Sequence, residues 1–597
     1  MGLTYRTWID SVPPRHGDPS CLITITMPMK AIYSSIELLE NRIAPAAAFV
    51  NATTATYTDS DGDHVTVKFT KPILTSGNVG TILVTTSNGN SDHLDMINLM
   101  GISAAVGTGI SVTAKVDGTG DGLVNIGKIN SDGDLGAVVV HGDLDEIDAG
   151  DGNDFKTGVK SISVVSFGYV SYLAGMTSAQ STVKGAVGSL KVATNMISAF
   201  SVSDSSTSHG DLGSLVIGGS LLGDASDFSG FVSAPHKIGS VTIGQSMVGG
   251  SGNYSGYVRT NDLGNVKVGG RIQGGSGTSG SIESNNAIGS VTVGGSLVGV
   301  GSFSGNILAG TTIGAVKIGQ DVVGRAAQSG QIEASGIASV TIGGSVFGGS
   351  GSSSGRIFCS GSNGGSLGAV KIAGDLQATA TSNSVNDTAE IWNFAGSIAS
   401  VTIGENAEGS PSTAYFNGCI LSGGNLGAVK VGGNVTGIGA PFVIRGKGAA
   451  ANETAIASLT VGGHVEFALV LAGFGTSDTP ADGNACIGAV KVGGNWIQSS
   501  ITAGVTNTAF PKLGDVNDLL IGTPAKTSKI ASITIAGEIL GTPDSMSSTD
   551  HYGFVAGQIG SFKVAGTSIP LTVGAQKDNR QIGLTGDVTI HEVSLQV

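Results

Sequence analysis

One seven-residue phrase decides what this chain can fold into. Ile238-Gly-Ser-Val-Thr-Ile-Gly returns as Leu263-Gly-Asn-Val-Lys-Val-Gly, Ile288-Gly-Ser-Val-Thr-Val-Gly and Ile313-Gly-Ala-Val-Lys-Ile-Gly. Further copies begin at Ile337, Leu367, Ile398, Leu426, Ile456, Ile487, Ile530 and Ile559, and weaker ones at Leu135, Val159, Val187 and Leu212. The starts lie about 25 residues apart in the middle of the chain and 28–31 later, with one gap of 43. A fixed period of this length marks a stacked repeat architecture. A second motif, Ser-Gly-x-Ile/Val, keeps the same beat at Ser229, Ser255, Ser279, Ser304, Ser329 and Ser354. Short runs such as Ser296-Leu-Val-Gly lie between the two. Each unit therefore reads as three short strands separated by Gly/Ser turns, with no helical pattern.

Val241 and Ile243 and their equivalents alternate with period two, so they point inward and leave Thr242 outside. One such unit cannot cover its own apolar face, whereas stacked units pair strand on strand at about 4.8 Å. The expected fold is all-β: a right-handed parallel β-helix of about 16 rungs, roughly 75 Å long. The outward position supports direct stacking. It reads Thr242, Lys267, Thr292, Lys317, Thr341, Lys371, Thr402, Lys430, Thr460, Lys491, Thr534, Lys563. Lysines on adjacent rungs would repel by on the order of 3 kcal/mol at an effective dielectric of 20 and by under about 1 kcal/mol in water, and interleaved Thr doubles their separation.

Composition narrows the class. Glycine supplies 98 of 597 residues, charged residues are 12% and proline is only 14. There is no Gly-X-Y period, which removes collagen. The glycine is interleaved with Val, Ile and Leu, which argues against disorder. Every apolar run is cut before about 18 residues, so no membrane span is expected. A net charge of −14 argues against a nucleic-acid surface. Four cysteines in so long a chain cannot form a disulfide framework. Cys21 lies in the N-terminal segment, and Cys359, Cys419 and Cys486 are expected to be free, buried thiols.

Four regions follow. Residues 1–48 carry no rung and read as a leader or targeting segment, largely disordered. Residues 49–134 contain strand-like alternation at Thr54–Thr58, His64–Thr70, Thr81–Thr86 and Ile110–Val116, expected to form a small sandwich or cap. Residues 135–570 are the β-helix, and residues 571–597 are C-terminal capping strands, since an open end would template aggregation. The long gap after Ile487, containing Asn507-Thr-Ala-Phe-Pro-Lys, reads as a surface loop. Within the first region, Leu39-Glu-Asn-Arg-Ile-Ala-Pro45-Ala resembles the Leu-Glu-x-Arg-x-Ala-Pro leader of large secreted repeat proteins from planctomycete and verrucomicrobial bacteria. That resemblance implies export and a secreted or cell-surface location, and no particular activity.

Candidate chemistry is sparse. Asp59, Asp61 and Asp63 alternate around a glycine as hard cations such as calcium prefer, and Asp117-Gly-Thr-Gly-Asp121-Gly is similar. Both lack the twelfth-position Glu of an EF-hand and also suit plain turns. Asp151 and Asp154 lie in Gly150-Asp-Gly-Asn-Asp154, which resembles a calcium nonapeptide but occurs once, where such sites need stacked copies. Calcium is the one cofactor these motifs suggest. Glu283 and Glu333 fall two rungs apart, about 9.6 Å, at the upper edge for an inverting glycosidase. Leu308 stands between them, and Arg259 beside Glu283 reads more simply as an ion-pair partner. A polar seam of His209, Asp211, His236, Lys237, Asn261, Asp262, Asn285 and Asn286 precedes successive repeats and reads as turn chemistry. Trp392 and Trp496 are the tryptophans of the repeats, and whether Trp392, Glu390 and Asp387 share a groove would discriminate two functions. The first is a non-enzymatic, adhesin-like structural rod meeting polysaccharide or cell-envelope components. The second is a pectin-lyase-like carbohydrate-active enzyme, a polysaccharide lyase or glycoside hydrolase.

Overall fold

The structure, a computed structural model, describes residues 47–594 except 88–91, 154–155, 170–178, 205–208, 362–363, 415, 450–453, 543–549, 573 and 575–576. The chain from Pro45 onward forms one compact unit. It is 52% strand and 2% helical, wound as a right-handed parallel β-helix of about 16 turns. The leader motif lies outside the described residues.

Three sheets run the length of the stack. The first is made by the repeated phrase, and all sixteen starts fall on one ladder. Leu135 pairs with Val159, Val159 with Val187, and Val187 with Leu212. The line continues through Ile238, Leu263 and Ile288 to Ile487, Ile530 and Ile559. The outward Thr/Lys series is likewise one unbroken ladder from Thr242 to Lys563. Inward residues such as Val241, Val291, Val340 and Val401 are fully buried in a single continuous core. The second sheet has 12 very short strands, from Leu221–Leu222 to Ile539–Leu540. The third carries the Ser-Gly motif, with Val232, Val258, Ile282, Ile307, Ile332, Ile357 and Ile391 stacked inward.

The turns explain the remaining repeated residues. Ser255 Oγ accepts the Gly250 N–H at 2.9 Å and donates to the Gly252 carbonyl at 2.7 Å, plugging the corner before the third sheet. Ser229 and Ser329 do the same. Gly256 follows at φ +55°, and a Cβ there would stand 2.3 Å from the Val248 carbonyl oxygen, so only glycine fits. At the corner after the first sheet, side chains tie each rung to the next. The Asn434 N–H donates to Asn406 Oδ1 at 2.9 Å, His464 N–H to Asn434 Oδ1 at 2.8 Å, and Asn495 N–H to His464 Nδ1 at 2.8 Å. His464 Nδ1 must therefore be the acceptor, placing its ring proton on Nε2. These bonds satisfy turn N–H groups that the sheet ladders do not reach.

Both ends of the stack finish in antiparallel pairs. Thr108–Lys115 lies parallel to Leu135–Ala149 but antiparallel to His64–Phe69, which pairs in turn with Thr54–Thr58. Asp92–Asn98 also runs parallel to Val124–Asn130. Parallel pairing is thus already present ahead of Leu135, where the sequence carries no copy of the repeated phrase. At the other end Val588–Glu592 lies parallel on Tyr552–Ala556 and is closed by Asn579–Ile582.

Candidate functional site

In the short strands of the third sheet, such as Ile282–Ser284, Ile307–Ala309 and Ile332–Ala334, alternation turns the residue after the buried Ile outward, where it is half-buried. The residue after it forms a ladder of Arg259, Glu283, Leu308, Glu333, Phe358, Trp392, Leu421, Arg445 and Leu471. This ladder brings charged and aromatic side chains into adjacent rungs, Arg259 beside Glu283 and Phe358 beside Trp392.

Its upstream part is an open groove of about 430 Å³ between Tyr254 and Glu333. Glu283 is held from two sides. Arg259 stands 3.7 Å away, as expected, and Tyr257 Oη donates to Glu283 Oε2 at 2.6 Å. Burial, then Glu283, drives the Tyr257 phenol far above its ordinary pKa, so it remains a donor. Glu333 pairs with Arg356 at 3.0 Å. Both carboxylates of the sequence-derived pair thus have cationic partners, and the half-buried Leu308 lies between them.

Further along, Arg356 reaches from Glu333 to Glu390 Oε1 at 3.5 Å and lies 4.4 Å from the centre of the Phe358 ring. Glu390 is completely buried. That burial, with Asp387 adding to it, pushes its carboxyl up to about 8 in spite of Arg356. Asp387 is raised by burial as well. Cys419 Sγ stands 3.9 Å from Glu390 Oε2, and burial, then the Glu390 charge, keeps this thiol protonated. Trp392 packs between Phe358 and Phe394 at 5.3 and 5.4 Å. So Trp392, Glu390 and Asp387 do converge, but around a buried carboxyl rather than along an accessible cleft. Trp496, by contrast, is a core residue whose indole N–H donates to the Ser499 carbonyl at 2.8 Å.

Downstream the same flank is roofed. Leu421, Val443, Leu469, Leu471 and Phe474 form a second hydrophobic cluster with Ile521, and Phe510 packs against it. Phe474 and Phe510 stack at 5.4 Å. The 43-residue gap supplies the roof: Val505–Asn507 and Asp518–Leu520 form an antiparallel pair. Asp518 pins it to the last strand through His591 Nδ1 at 2.7 Å. The segment read as a surface loop is thus also a cover, and the apolar Phe510, Leu513 and Ile521 within it were the signal. Under the roof Arg445 is 1% exposed and paired with Asp478 at 2.6 Å.

The acidic loops near the N-terminus come together. Carboxylate oxygens of Asp59, Asp61 and Asp63 lie within 4.8 Å of one another. Asp63 accepts the N–H groups of Asp117 at 2.9 Å and Gly122 at 2.6 Å, and Asp61 accepts that of Asp121 at 3.1 Å. The two loops noticed separately in the sequence are therefore clipped to each other. Burial, then the hydrogen bond with Asp61, raises the Asp59 carboxyl to about 7, while Asp61 is lowered by the same bond. This all-oxygen donor set has the hardness that calcium prefers. Asp151 sits elsewhere, accepting the Asn153 N–H at 2.8 Å with Lys156 3.8 Å away. Asp154 lies outside the described residues.

The polar seam is turn chemistry: His236 pairs with Asp211 at 2.6 Å and the Asn285 amide donates to Asn261 at 2.6 Å. Cys359 and Cys419 are buried thiols outside any disulfide, and Cys486 is a half-buried thiol that donates to the Asn484 carbonyl at 3.5 Å.

The fold and this flank together define a parallel β-helix protein with one partly open, polar-aromatic side. Comparison with known protein families, with curated proteins and with solved structures finds no match to this chain.

Proposed function

We propose that the protein is a non-enzymatic structural β-helix, an adhesin-like rod of the cell surface or extracellular space. One observation carries this reading: the unbroken rung-on-rung ladder from Leu135 to Ile559, reinforced at the corners by side-chain ties such as Asn406–Asn434–His464–Asn495. A stack of that regularity is a stiff spacer about 75 Å long. The ion pairing of Glu283 and Glu333 fits a binding or structural flank better than a general acid and base. Polysaccharide or cell-envelope components are the partners such a rod would meet.

A carbohydrate-active enzyme is the second reading, favoured by the raised carboxyl of Glu390 beside Arg356 and Trp392. Incubating the purified protein with a panel of neutral and acidic polysaccharides separates the two. The structural reading expects no new reducing ends or unsaturated products. Turnover that disappears in Glu390→Gln or Glu333→Gln establishes the enzyme instead. Cell fractionation with mass spectrometry of the mature N-terminus tests the location.

A further inference from the structure

In each rung the residue ahead of the Ser-Gly pair stands on the corner leading into the third sheet. In order these residues are Phe228, Tyr254, Thr278, Phe303 and Gln328. Phe228 and Tyr254 stack face to face, 5.4 Å between centres and 11° between planes. These two rings, one rung apart, therefore lie one above the other along the stack. Thr278 interrupts that stack. Tyr254 and Phe303 are two rungs apart, about 9.6 Å, with only a small side chain between them. Both border the groove of about 430 Å³, and Phe303 is half exposed. The gap leaves room for one flat six-membered ring with an aromatic side chain on either side. Within the groove Glu283, fixed by Tyr257, offers acceptor oxygens.

We infer that this groove binds a neutral polysaccharide segment, one pyranose ring seated in the Thr278 gap with its hydroxyls donating to Glu283. Charge selects the ligand. Glu283 and Glu333 are the charged side chains lining the groove, and the neighbouring cations Arg259 and Arg356 are held by these same carboxylates. Uronate chains and phosphates therefore meet no cation that is not already paired, whereas a carboxylate accepts a sugar hydroxyl in a short, charge-assisted bond. Aromatic faces meet the apolar C–H face of a pyranose. This deepens the reading of the protein as a non-catalytic surface rod and rests on it, because it makes the flank the part that holds the matrix.

Isothermal titration of the full chain with cellohexaose, xylohexaose and mannohexaose, with hexagalacturonate and choline as controls, tests the inference. Each mixture is also analysed by mass spectrometry for cleavage. At least one neutral hexasaccharide is expected to bind and to be recovered intact. Phe303→Ala and Tyr254→Ala should weaken binding roughly tenfold. Thr278→Phe, which fills the gap, should abolish it with the thermal transition unchanged. Cleavage of a bound sugar would overturn the non-enzymatic reading while leaving the groove assignment standing. Failure of every neutral probe, stronger binding of hexagalacturonate or choline, or unaltered binding by a folded Thr278→Phe would overturn the groove assignment itself.

Discussion

The third sheet presents two unlike stretches of one surface. From Arg259 to Trp392 its outward residues, apart from Leu308, are charged or aromatic and meet solvent or one another. From Leu421 to Leu471 they are mostly aliphatic and sit beneath the roof donated by the long insertion. The strands are alike in register and inward packing, so strand pairing does not decide which residues count as interior. A loop arriving from a later rung decides it. Where a roof is present, an outward leucine gains the ~2 kcal/mol typical of a buried aliphatic side chain. An outward arginine there needs a partner, as Arg445 has in Asp478.

Breaking that partnership is the harshest test of the contrast. Arg445→Ala is expected to cost about 3–5 kcal/mol by stranding Asp478, whereas Arg259→Ala on the open stretch should cost under about 1 kcal/mol. Denaturant titration followed by circular dichroism checks both, and Arg445→Met combined with Asp478→Leu should recover most of the loss.

The second test titrates the boundary between the two stretches. The Glu390 carboxyl is raised from its ordinary 4.5 to about 8 in the folded state. Its contribution to stability is therefore full below about 4.5 and is lost as pH rises through 8. Between pH 4.5 and 7 the loss should reach about 3 kcal/mol, and Glu390→Gln should flatten that part of the stability profile. A variant with an unchanged slope would show that Glu390 ionises without hindrance.

Opening the roof should have an intermediate effect. Phe510→Ala is expected to lose about 2 kcal/mol and to increase binding of a hydrophobic dye as Leu421 and Leu471 meet water, while Phe358→Ala should do neither to the same degree. The smallest effect belongs to the first sheet, where no roof intervenes. Thr292→Lys would create three lysines in a row with Lys267 and Lys317, costing about 1 kcal/mol at low salt and less as ionic strength rises.

The repeated phrase made much of this legible in the sequence. Period-two alternation with a fixed spacing determines which rung follows which, so the pairing of Thr242 with Lys267 and of Arg259 with Glu283 follows by counting. Counting fails where the contact depends on a loop's return path. Nothing local tells Phe510 that it will meet Phe474, nor Asp63 that it will accept N–H groups from Asp117 and Gly122. Glu390 was visible as a residue near Trp392, but its burial depends on neighbouring side chains and chain segments that the repeat pattern does not specify. The corner ladder through His464 was present as the polar residue after each Gly-Gly pair, yet its meaning required knowing that side chain and N–H come from adjacent rungs.

The alternation along the first sheet has a consequence for how such a molecule can change length. Lysine rungs from Lys317 onward carry glycine three positions earlier, as at Gly368, Gly427 and Gly488, and threonine rungs carry alanine, as at Ala338, Ala399 and Ala457. A Cβ on Gly368 would stand 1.8 Å from the Ala338 carbonyl oxygen, and one on Gly427 1.7 Å from that of Ala399. Excising one coil would set two like partners side by side, whereas excising two restores every neighbour. The cylinder therefore has an even–odd parity, and shortening or lengthening it in steps of two is the route that leaves its surface chemistry intact.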